Sequence, residues 1–262
     1  MRHSCRSRVR LIHYFDLVLY KTYADLRADS ERTYIGFLWW LFNPSLSMII
    51  YYLVFGLMLG QSGGDFVPNL MVGIIFFQWF STCVSHGAST IMDGHSLMMQ
   101  VYLPKIIFPI VNILVDSIKF LFVFIILVIV INLLGHPINL AYLSLPLLML
   151  AQLLLIAAVA FFMAGVTPFF PDLRLLFDHL LHLLFFMSGV FFTVDTIPER
   201  FRGFYYLNPM ANLIEQNRRV LLHGEFPEWS SLAIISCGTL IGLILSIWLI
   251  TWLDQVYPKI AP

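Results

Sequence analysis

Residues 35–59 read IGFLWWLFNPSLSMIIYYLVFGLML, a run of 25 residues without a charged side chain. A transmembrane helix needs about 20 predominantly apolar residues, so this stretch is long enough to cross a bilayer. Two tryptophans, Trp39 and Trp40, lie side by side near its start and follow the charged stretch 27–32. Because tryptophan is enriched at membrane–water interfaces, the pair predicts that a span begins here.

The whole chain has the same apolar character. Of its 262 residues, 60% are hydrophobic and only 11% are charged, whereas soluble domains carry about 25% charged residues. This composition indicates a membrane protein. The net charge is zero and gives no argument for a nucleic-acid partner, and the spacing of the three cysteines fits no metal or redox motif.

Charge-poor windows predict an all-α membrane protein with six transmembrane helices in one domain, residues 1–262. The approximate bounds of the spans are 35–59, 67–92, 106–133, 140–167, 175–194 and 231–253. Lys and Arg are more frequent in the segments that an inside N-terminus leaves in the cytoplasm, which predicts an N-in, C-in orientation. No small-residue cleavage site follows the basic first ten residues, so we expect no cleaved signal peptide.

A helix over residues 11–28 is expected to be amphipathic. Its apolar side chains recur at spacings of three and four: Leu11, Phe15, Val18, Leu19, Tyr23 and Leu26. Such a helix lies in the plane of the membrane interface rather than crossing it. Its role is either simple anchoring or a part in the function of the protein.

A second unusual segment, residues 197–224, lies between the fifth and sixth predicted spans. Asn208-Pro209 is a strong helix start, with an N-cap residue followed by proline at the first helical position. An apolar stripe follows before His223-Gly224 ends the helix: Met210, Leu213, Ile214, Asn217 and Leu221. At roughly 14 residues the helix is too short to span. We expect a re-entrant or surface helix on the outer side, which either lines a pathway or caps the bundle.

Motifs of enzyme chemistry are absent from the sequence. No G-x-x-x-x-G-K-[ST] loop occurs, so ATP hydrolysis by that route is excluded, and G-x-S-x-G and H-E-x-x-H are missing as well. His179 and His182 are too few for a zinc site, which needs three or four ligands, and no metal is predicted. Asp116 and Lys119, three residues apart in the third span, either neutralise each other or serve a function. We therefore do not expect an enzyme.

Several motifs occur in an order that is typical of one transporter family. They follow the amphipathic helix as YIGFLWWLFNP (34–44), YYLVFG (51–56), YLPKIIFP (102–109), FPDLR (170–174), IP (197–198) and YLNP (206–209). Together they resemble the membrane subunit of ABC transporters that export polysaccharides such as O-antigen, capsule and teichoic acid. One departure is Pro171, which stands where the family often has arginine, so the role of Arg174 is open.

The resemblance implies a permease that exports lipid-linked polysaccharide across the bacterial inner membrane. Two copies would form the pore and bind two separate ATPase subunits, which hold ATP and Mg, and this chain would need no cofactor. The ATPase contact is expected in the cytoplasmic loop 93–105, at Asp93, His95, Met98, Gln100 and Tyr102. The alternatives are an ABC permease for a drug or small lipid and a membrane-embedded transferase.

The resemblance also implies that the first and fifth spans line the channel. Aromatic rings suit the apolar faces of sugars and let them slide, which predicts sugar contacts at Trp39, Trp40, Tyr51, Tyr52, Phe55, Phe185 and Phe186. For the two tryptophans, an interfacial belt is the alternative. Arg27 and Arg32 are expected to recruit the phosphate of the lipid carrier, because arginine binds phosphate with paired donors; simple positive-inside anchoring is the alternative.

Overall fold

The structure is a computed structural model that describes residues 2–31, 36–58, 60, 65–95, 99 and 103–257, with side chains from residue 14 onward except at 195 and 204. Within these ranges all regular structure is helical. The helices are α1 (Arg2–Glu31), α2 (Trp39–Tyr51), α3 (Phe66–Asp93), α4 (Ile107–Leu133), α5 (Leu145–Val166), α6 (Asp172–Met187), α7 (Glu199–Leu207), α8 (Pro209–Arg218) and α9 (Trp229–Leu253).

Short turns of other helix types extend these elements. A 3₁₀ turn precedes α2 at Gly36–Leu38, another precedes α5 at Leu140–Ser144, and a third lies at Val194–Thr196. π-Helical turns continue α2 over Tyr52–Met58 and α8 over Arg219–His223. The first predicted span is therefore one continuous helical segment whose geometry changes at its C-terminal end.

Five segments of the described chain are long and apolar enough to cross a membrane, which makes this a multi-pass membrane protein. They are Gly36–Met58, Phe66–Asp93, Ile107–Leu133, Leu140–Val166 and Trp229–Leu253. Their bounds agree to within about two residues with five of the six spans expected from charge-poor windows. Such windows locate these helices well because any charge inside the hydrocarbon is costly.

Helix α6 lies where the fifth span was predicted but is shorter than expected. It has 16 residues, or about 24 Å at 1.5 Å per residue, against about 30 Å of hydrocarbon. The helix ends at Met187, and Gly189 adopts a left-handed φ of 68°, the conformation that commonly terminates a helix. The prediction of a helix to residue 194 is therefore wrong at its C-terminal end.

Helix α3 is the centre of the bundle. It packs against α4 on one side and α5 on another, and α9 packs along the far side of α5. In its most apolar window 67% of the residues are buried, against 11% in the span that contains α2. Side chains on α3 consequently lie inside the protein, whereas most of α2 faces outward.

Helix α1 packs against the start of α4. Four of its side chains contact an apolar patch of residues 103–115, namely Tyr14, Leu17, Val18 and Leu26. Other members of the predicted apolar face, Phe15, Leu19 and Tyr23, are exposed on the other side of the helix. Leu11 lies outside the residues whose side chains are described. The apolar residues of α1 thus divide between a protein contact and an uncovered surface.

Helix α8 begins and ends where the sequence predicted. The side chain of Asn208 accepts hydrogen bonds from the backbone N–H groups of Met210 and Ala211, and Pro209 occupies the first turn. Gly224, with a φ of 69°, ends the π-helical extension. Every residue of the predicted stripe is buried: Met210, Leu213, Ile214, Asn217 and Leu221.

Candidate functional site

One face of α3 carries a row of polar side chains through the middle of the membrane domain. They are Gln78, Ser81, Thr82, Ser85 and His86. Their spacing of three and four places them on one side of the helix. The row lines two cavities between α3 and its neighbouring helices, and its members are only partly buried, with His86 exposed. The sequence analysis did not single out these residues, although the periodicity of polar residues within an apolar span could have revealed them.

Cavity A lies between α2, α3 and α4 and has a volume of about 270 Å³. The indoles of Trp40 and Trp79 line it together with Asn43. From the α3 row it takes Gln78, Thr82 and His86, and from α4 it takes Asp116, Lys119, Phe120 and Val123. Its wall therefore combines aromatic surface with hydrogen-bond donors and hydrogen-bond acceptors.

Asp116 is the centre of an ionic network at the wall of cavity A. Its Oδ2 lies 2.8 Å from Nδ1 of His86, and its Oδ1 lies 3.6 Å from Nζ of Lys119. The ammonium of Lys119 in turn donates to Asp29 of α1 at 2.5 Å. The predicted Asp116–Lys119 pair is thus present, and it extends to α3 and to the N-terminal helix.

Cavity B lies between α2, α3 and α6 and has a volume of about 410 Å³. Tyr51 and Phe185 line it, and so do the polar groups Asp178 and His182 of α6. Ser85 donates a 2.9 Å hydrogen bond to Oδ1 of Asp178 across the α3–α6 boundary. Gln78, Thr82 and His86 line both cavities, so the polar row of α3 forms a common wall between them.

A cluster of aromatic rings lies beside cavity B where α2, α6 and the turn after α6 meet. The Phe191 ring lies 4.8 Å from Tyr51, 4.5 Å from Phe55, 5.0 Å from Phe185 and 5.4 Å from Phe186. Four of the seven predicted sugar-contacting residues therefore come together here. Phe191, which was not among the predicted residues, contacts all four of these rings.

The other three predicted channel residues lie apart from this cluster. Trp40 lines cavity A, and its ring lies 5.9 Å from the ammonium of Lys119. Trp39 is exposed and contacts Phe42. Tyr52 is half-buried over Gly56. The two adjacent tryptophans thus have different surroundings, as expected for side chains about 100° apart on a helix.

The predicted recruitment and coupling residues are only partly described. Arg27 is exposed and donates a 2.7 Å hydrogen bond to Glu31, which raises the pKa of Arg27. Asp93 is exposed at the end of α3, and the Nε2 of His95 is buried without a hydrogen-bond partner among the described residues. Arg32, Met98, Gln100 and Tyr102 lie outside the described residues.

A second buried charge, Arg218, lies at the end of α8. Its guanidinium donates to the backbone carbonyls of Asn69, Val190 and Phe192 at 3.0–3.2 Å. Glu215 lies 3.7 Å away, and burial lowers the pKa of the guanidinium. The sequence analysis placed residue 218 within the helix of the outer segment 197–224 but gave it no role. The structure buries it, and its guanidinium joins the non-helical residues after α6 to the first turn of α3.

The described part of the chain holds no group of three or more His, Cys, Asp or Glu side chains that could bind a metal ion. His182 instead contacts the backbone carbonyl of Asp178 through Nδ1 at 2.7 Å. The arrangement offers hydrogen bonds, aromatic surface and one ionic network, which are means of contacting a polar solute.

These observations define a helical, multi-pass membrane protein whose central span presents a polar face to open cavities between its helices. The chain belongs to the ABC-2 type transporter family, whose model matches residues 26–222. The matched region runs from the end of α1 to the π-helical turn after α8 and so includes both cavities. The family resemblance drawn from the sequence motifs is confirmed.

The chain is also similar to individual transport proteins. It is 27% identical over 235 residues to the O-antigen export system permease protein RfbA of Myxococcus xanthus, covering 89% of this chain and 90% of that protein. It is 24% identical over 222 residues to RfbA of Klebsiella pneumoniae, covering 84% and 86%. It is 23% identical over 226 residues to the polysialic acid transport protein KpsM of Escherichia coli, covering 85% and 88%.

Proposed function

We propose that this protein is the permease subunit of an ABC transporter that exports lipid-linked polysaccharide across the bacterial inner membrane. The observation that carries the proposal is the match of the ABC-2 type transporter model to residues 26–222. The names of relatives at 23–27% identity, which describe O-antigen export and polysialic acid transport, support polysaccharide as the cargo.

The proposed topology has six crossings, with both termini in the cytoplasm. The fifth crossing consists of α6 and the non-helical residues 188–193, α1 lies in the inner interface, and α7 and α8 form a re-entrant pair on the outer side. Backbone outside a helix is tolerated at membrane depth only where protein or a wet cavity satisfies its polar groups. The hydrogen bonds from Arg218 to Val190 and Phe192 supply this compensation and support the topology.

Two copies of the chain are proposed to form the channel. Cavity B opens between α2 and α6, and both helices leave large apolar side chains uncovered, including Ile49, Leu53, Leu180 and Leu183. A second copy would cover part of this surface and enclose the aromatic cluster within the channel. The polar row of α3 would then supply hydrogen bonds to the edges of a sugar while the rings contact its faces.

ATP hydrolysis is assigned to a separate partner subunit that binds ATP and Mg. The absence of a P-loop in this sequence supports the assignment. The loop 93–105, with Asp93 and His95 at its start, is proposed as the ATPase contact. Arg27 and Arg32 remain candidates for recruiting the lipid phosphate, and Arg27 is exposed enough to meet a head group.

Purification of a tagged copy, expressed with its neighbouring genes and extracted in mild detergent, tests the proposal. We expect a P-loop ATPase to co-purify in equal amounts and to hydrolyse ATP. Recovery of the chain alone under every mild condition would contradict the permease assignment, and the transferase alternative would then have to be assayed. Export of a drug or lipid by the intact complex, without export of a glycan, would favour the small-substrate alternative.

A substitution in the aromatic cluster tests the channel. Tyr51→Ala removes a ring that contacts both Phe185 and Phe191, so we expect reduced polysaccharide export at normal assembly with the ATPase. Ile244→Ala, on the exposed surface of α9 and away from the proposed contact between the two copies, is the control and should export normally. Normal export by both Tyr51→Ala and Tyr52→Ala would exclude these rings from the pathway.

A further inference from the structure

The last described residues of the chain, 254–257, follow α9 and lie against the start of α4. The Asp254 carboxylate accepts a 3.1 Å hydrogen bond from the backbone N–H of Lys105 through Oδ1. Lys105 is 2% exposed and lies 149 residues away from Asp254 in the sequence. This contact joins the C-terminal end of α9 to the last residue of the loop 93–105, the loop that is proposed as the ATPase contact.

The same short segment also contacts the end of α5. Tyr257 is buried, and its hydroxyl donates a 3.0 Å hydrogen bond to the backbone carbonyl of Gly165. Burial and, to a smaller extent, the charge of Asp254 raise the pKa of Tyr257, so the hydroxyl stays protonated and remains a donor. The Tyr257 ring lies 5.7 Å from the ring of Phe169, which belongs to the turn between α5 and α6.

The turn that Tyr257 contacts leads directly to the proposed channel. Helix α6 begins at Asp172, just after this turn, and its side chains line cavity B. Residues 254–257 therefore contact the loop 93–105 through one side chain and the approach to α6 through another. The segment between these two side chains is a compact turn, in which the N–H of Val256 donates to the carbonyl of Leu253 at 2.8 Å.

The end of the loop 93–105 is held on its other side by α1. Leu103 is 5% exposed and belongs to the apolar patch of residues 103–115 that α1 covers. The loop therefore ends between α1 and the C-terminal segment 254–257. Because packed protein interiors are only slightly compressible and transmit strain, a displacement of this end also displaces the segment that contacts it.

We propose that Asp254 and Tyr257 are positioning residues that carry the ATPase-driven movement of the loop 93–105 to α6 at the channel. This inference rests on the proposed function, because it requires an ATPase that acts on this loop. It gives the C-terminal end of the chain a part in coupling ATP hydrolysis to export. The alternative route runs along α3, which reaches α6 through the hydrogen bond from Ser85 to Asp178.

Two variants of the full-length permease, each produced together with its ATPase, test this link. Tyr257→Phe removes the hydroxyl but keeps the ring beside Phe169, and Asp254→Ala removes the acceptor for the Lys105 N–H. ATP hydrolysis is measured per purified complex, and the surface glycan of the host cells is measured per permease. We expect export relative to ATP hydrolysis to fall about threefold or more in each variant, while hydrolysis itself continues.

Ser246→Ala is the matched control, because the Ser246 hydroxyl also joins α9 to a carbonyl of α5. It donates to Ala158 at 3.0 Å in the middle of these helices, away from the loop 93–105. Export relative to ATP hydrolysis should therefore equal that of the unchanged protein. A purely structural role of Tyr257 would lower the yield or the unfolding midpoint of the complex and leave this ratio unchanged, and that result would overturn the link.

The double variant Asp254→Ala with Tyr257→Phe shows whether the two residues act in one path. If they do, either substitution already interrupts the path, so the double variant should export about as much glycan per ATP as the weaker single variant. Effects that multiply would assign the two residues to independent contacts and would also overturn the link. Should Asp254→Ala fail to assemble, Tyr257→Phe decides the matter alone, because it removes a single oxygen atom.

The link and the transporter can fail separately. If the unchanged complex exports glycan with its ATPase and Tyr257→Phe does so at the same ratio, only the link is wrong, and the route along α3 takes its place. If no ATPase is ever found with the unchanged chain, the permease assignment falls and the link falls with it.

Discussion

Arg218 and Asp116 are both buried charges, but their surroundings differ. Arg218 is 1% exposed and donates to three backbone carbonyls from two parts of the chain. Asp116 is 4% exposed, contacts only side chains, and keeps one oxygen without a hydrogen bond at the wall of a cavity. The first charge holds backbone segments together, whereas the second joins side chains of α1, α3 and α4 through His86 and Lys119.

Burial alone therefore does not show what a charged side chain does in this protein. Charges inside a membrane protein are costly and are often functional, yet Arg218 has a structural explanation in the carbonyls to which it donates. Asp116 instead contacts ionisable side chains, which link it to α1 and α3. Substitutions at the two places should therefore differ in their effect on stability.

The largest effect on stability is expected for Arg218→Met. The substitution leaves three carbonyls and Glu215 without their cation, and loss of one partner of a buried ionic contact typically destabilises by about 3–5 kcal/mol. The midpoint of thermal unfolding in detergent, followed by size-exclusion chromatography, measures it. Arg219→Met is the control, since Arg219 forms a partly exposed pair with Glu225 worth at most about 1 kcal/mol. Equal unfolding midpoints for the two variants would contradict a larger contribution of Arg218 than of Arg219 to stability.

A smaller loss is expected for Lys119→Met, which removes the cation between Asp116 and Asp29. Hydrogen bonds to charged groups contribute about 1.5–3 kcal/mol, and the half-exposed position of Asp29 places this variant toward the lower figure. The double variant Lys119→Met with Asp116→Asn should recover part of the stability, because it no longer buries an uncompensated carboxylate. If the double variant recovers no stability, Lys119 does not compensate the buried carboxylate of Asp116.

Gly189→Ala probes the turn that Arg218 holds. A non-glycine residue in the left-handed region costs about 1–2 kcal/mol, and the added Cβ would also collide with the hydroxyl of Tyr205. Unfolding midpoints again measure the effect. Gly203→Ala in α7 is the control, since nothing lies near its added Cβ and φ is not positive. A tolerated Gly189→Ala would mean that α6 can continue through this position.

The smallest effect on stability is expected for Arg27→Gln. Arg27 is exposed and its contact with Glu31 is screened by solvent, so the unfolding midpoint should not change. Export should nevertheless fall if Arg27 recruits the lipid phosphate, and this can be measured as surface glycan at equal permease levels. Lys21→Gln, which removes a similar pair on the same helix, is the control. Full export by both variants would leave Arg27 with an anchoring role only.

Sequence reasoning located the helices better than the site. Five spans and the cap at Asn208 follow from local signals, namely charge-poor windows and an Asn-Pro start. The end of α6 was missed because Gly189 was treated as one more residue in an apolar run. The polar row of α3 was not predicted, although its spacing is visible in the sequence.

The sequence by itself determined the membrane class and five segments long and apolar enough to cross a bilayer, because composition and periodicity act locally along the chain. The order of its motifs indicated the family. Only the tertiary structure decided what surrounds the buried charges. The segments that meet at Arg218 lie up to 149 residues apart, and 90 residues separate Asp29 from Lys119. Such contacts depend on how the helices pack, which no local pattern encodes.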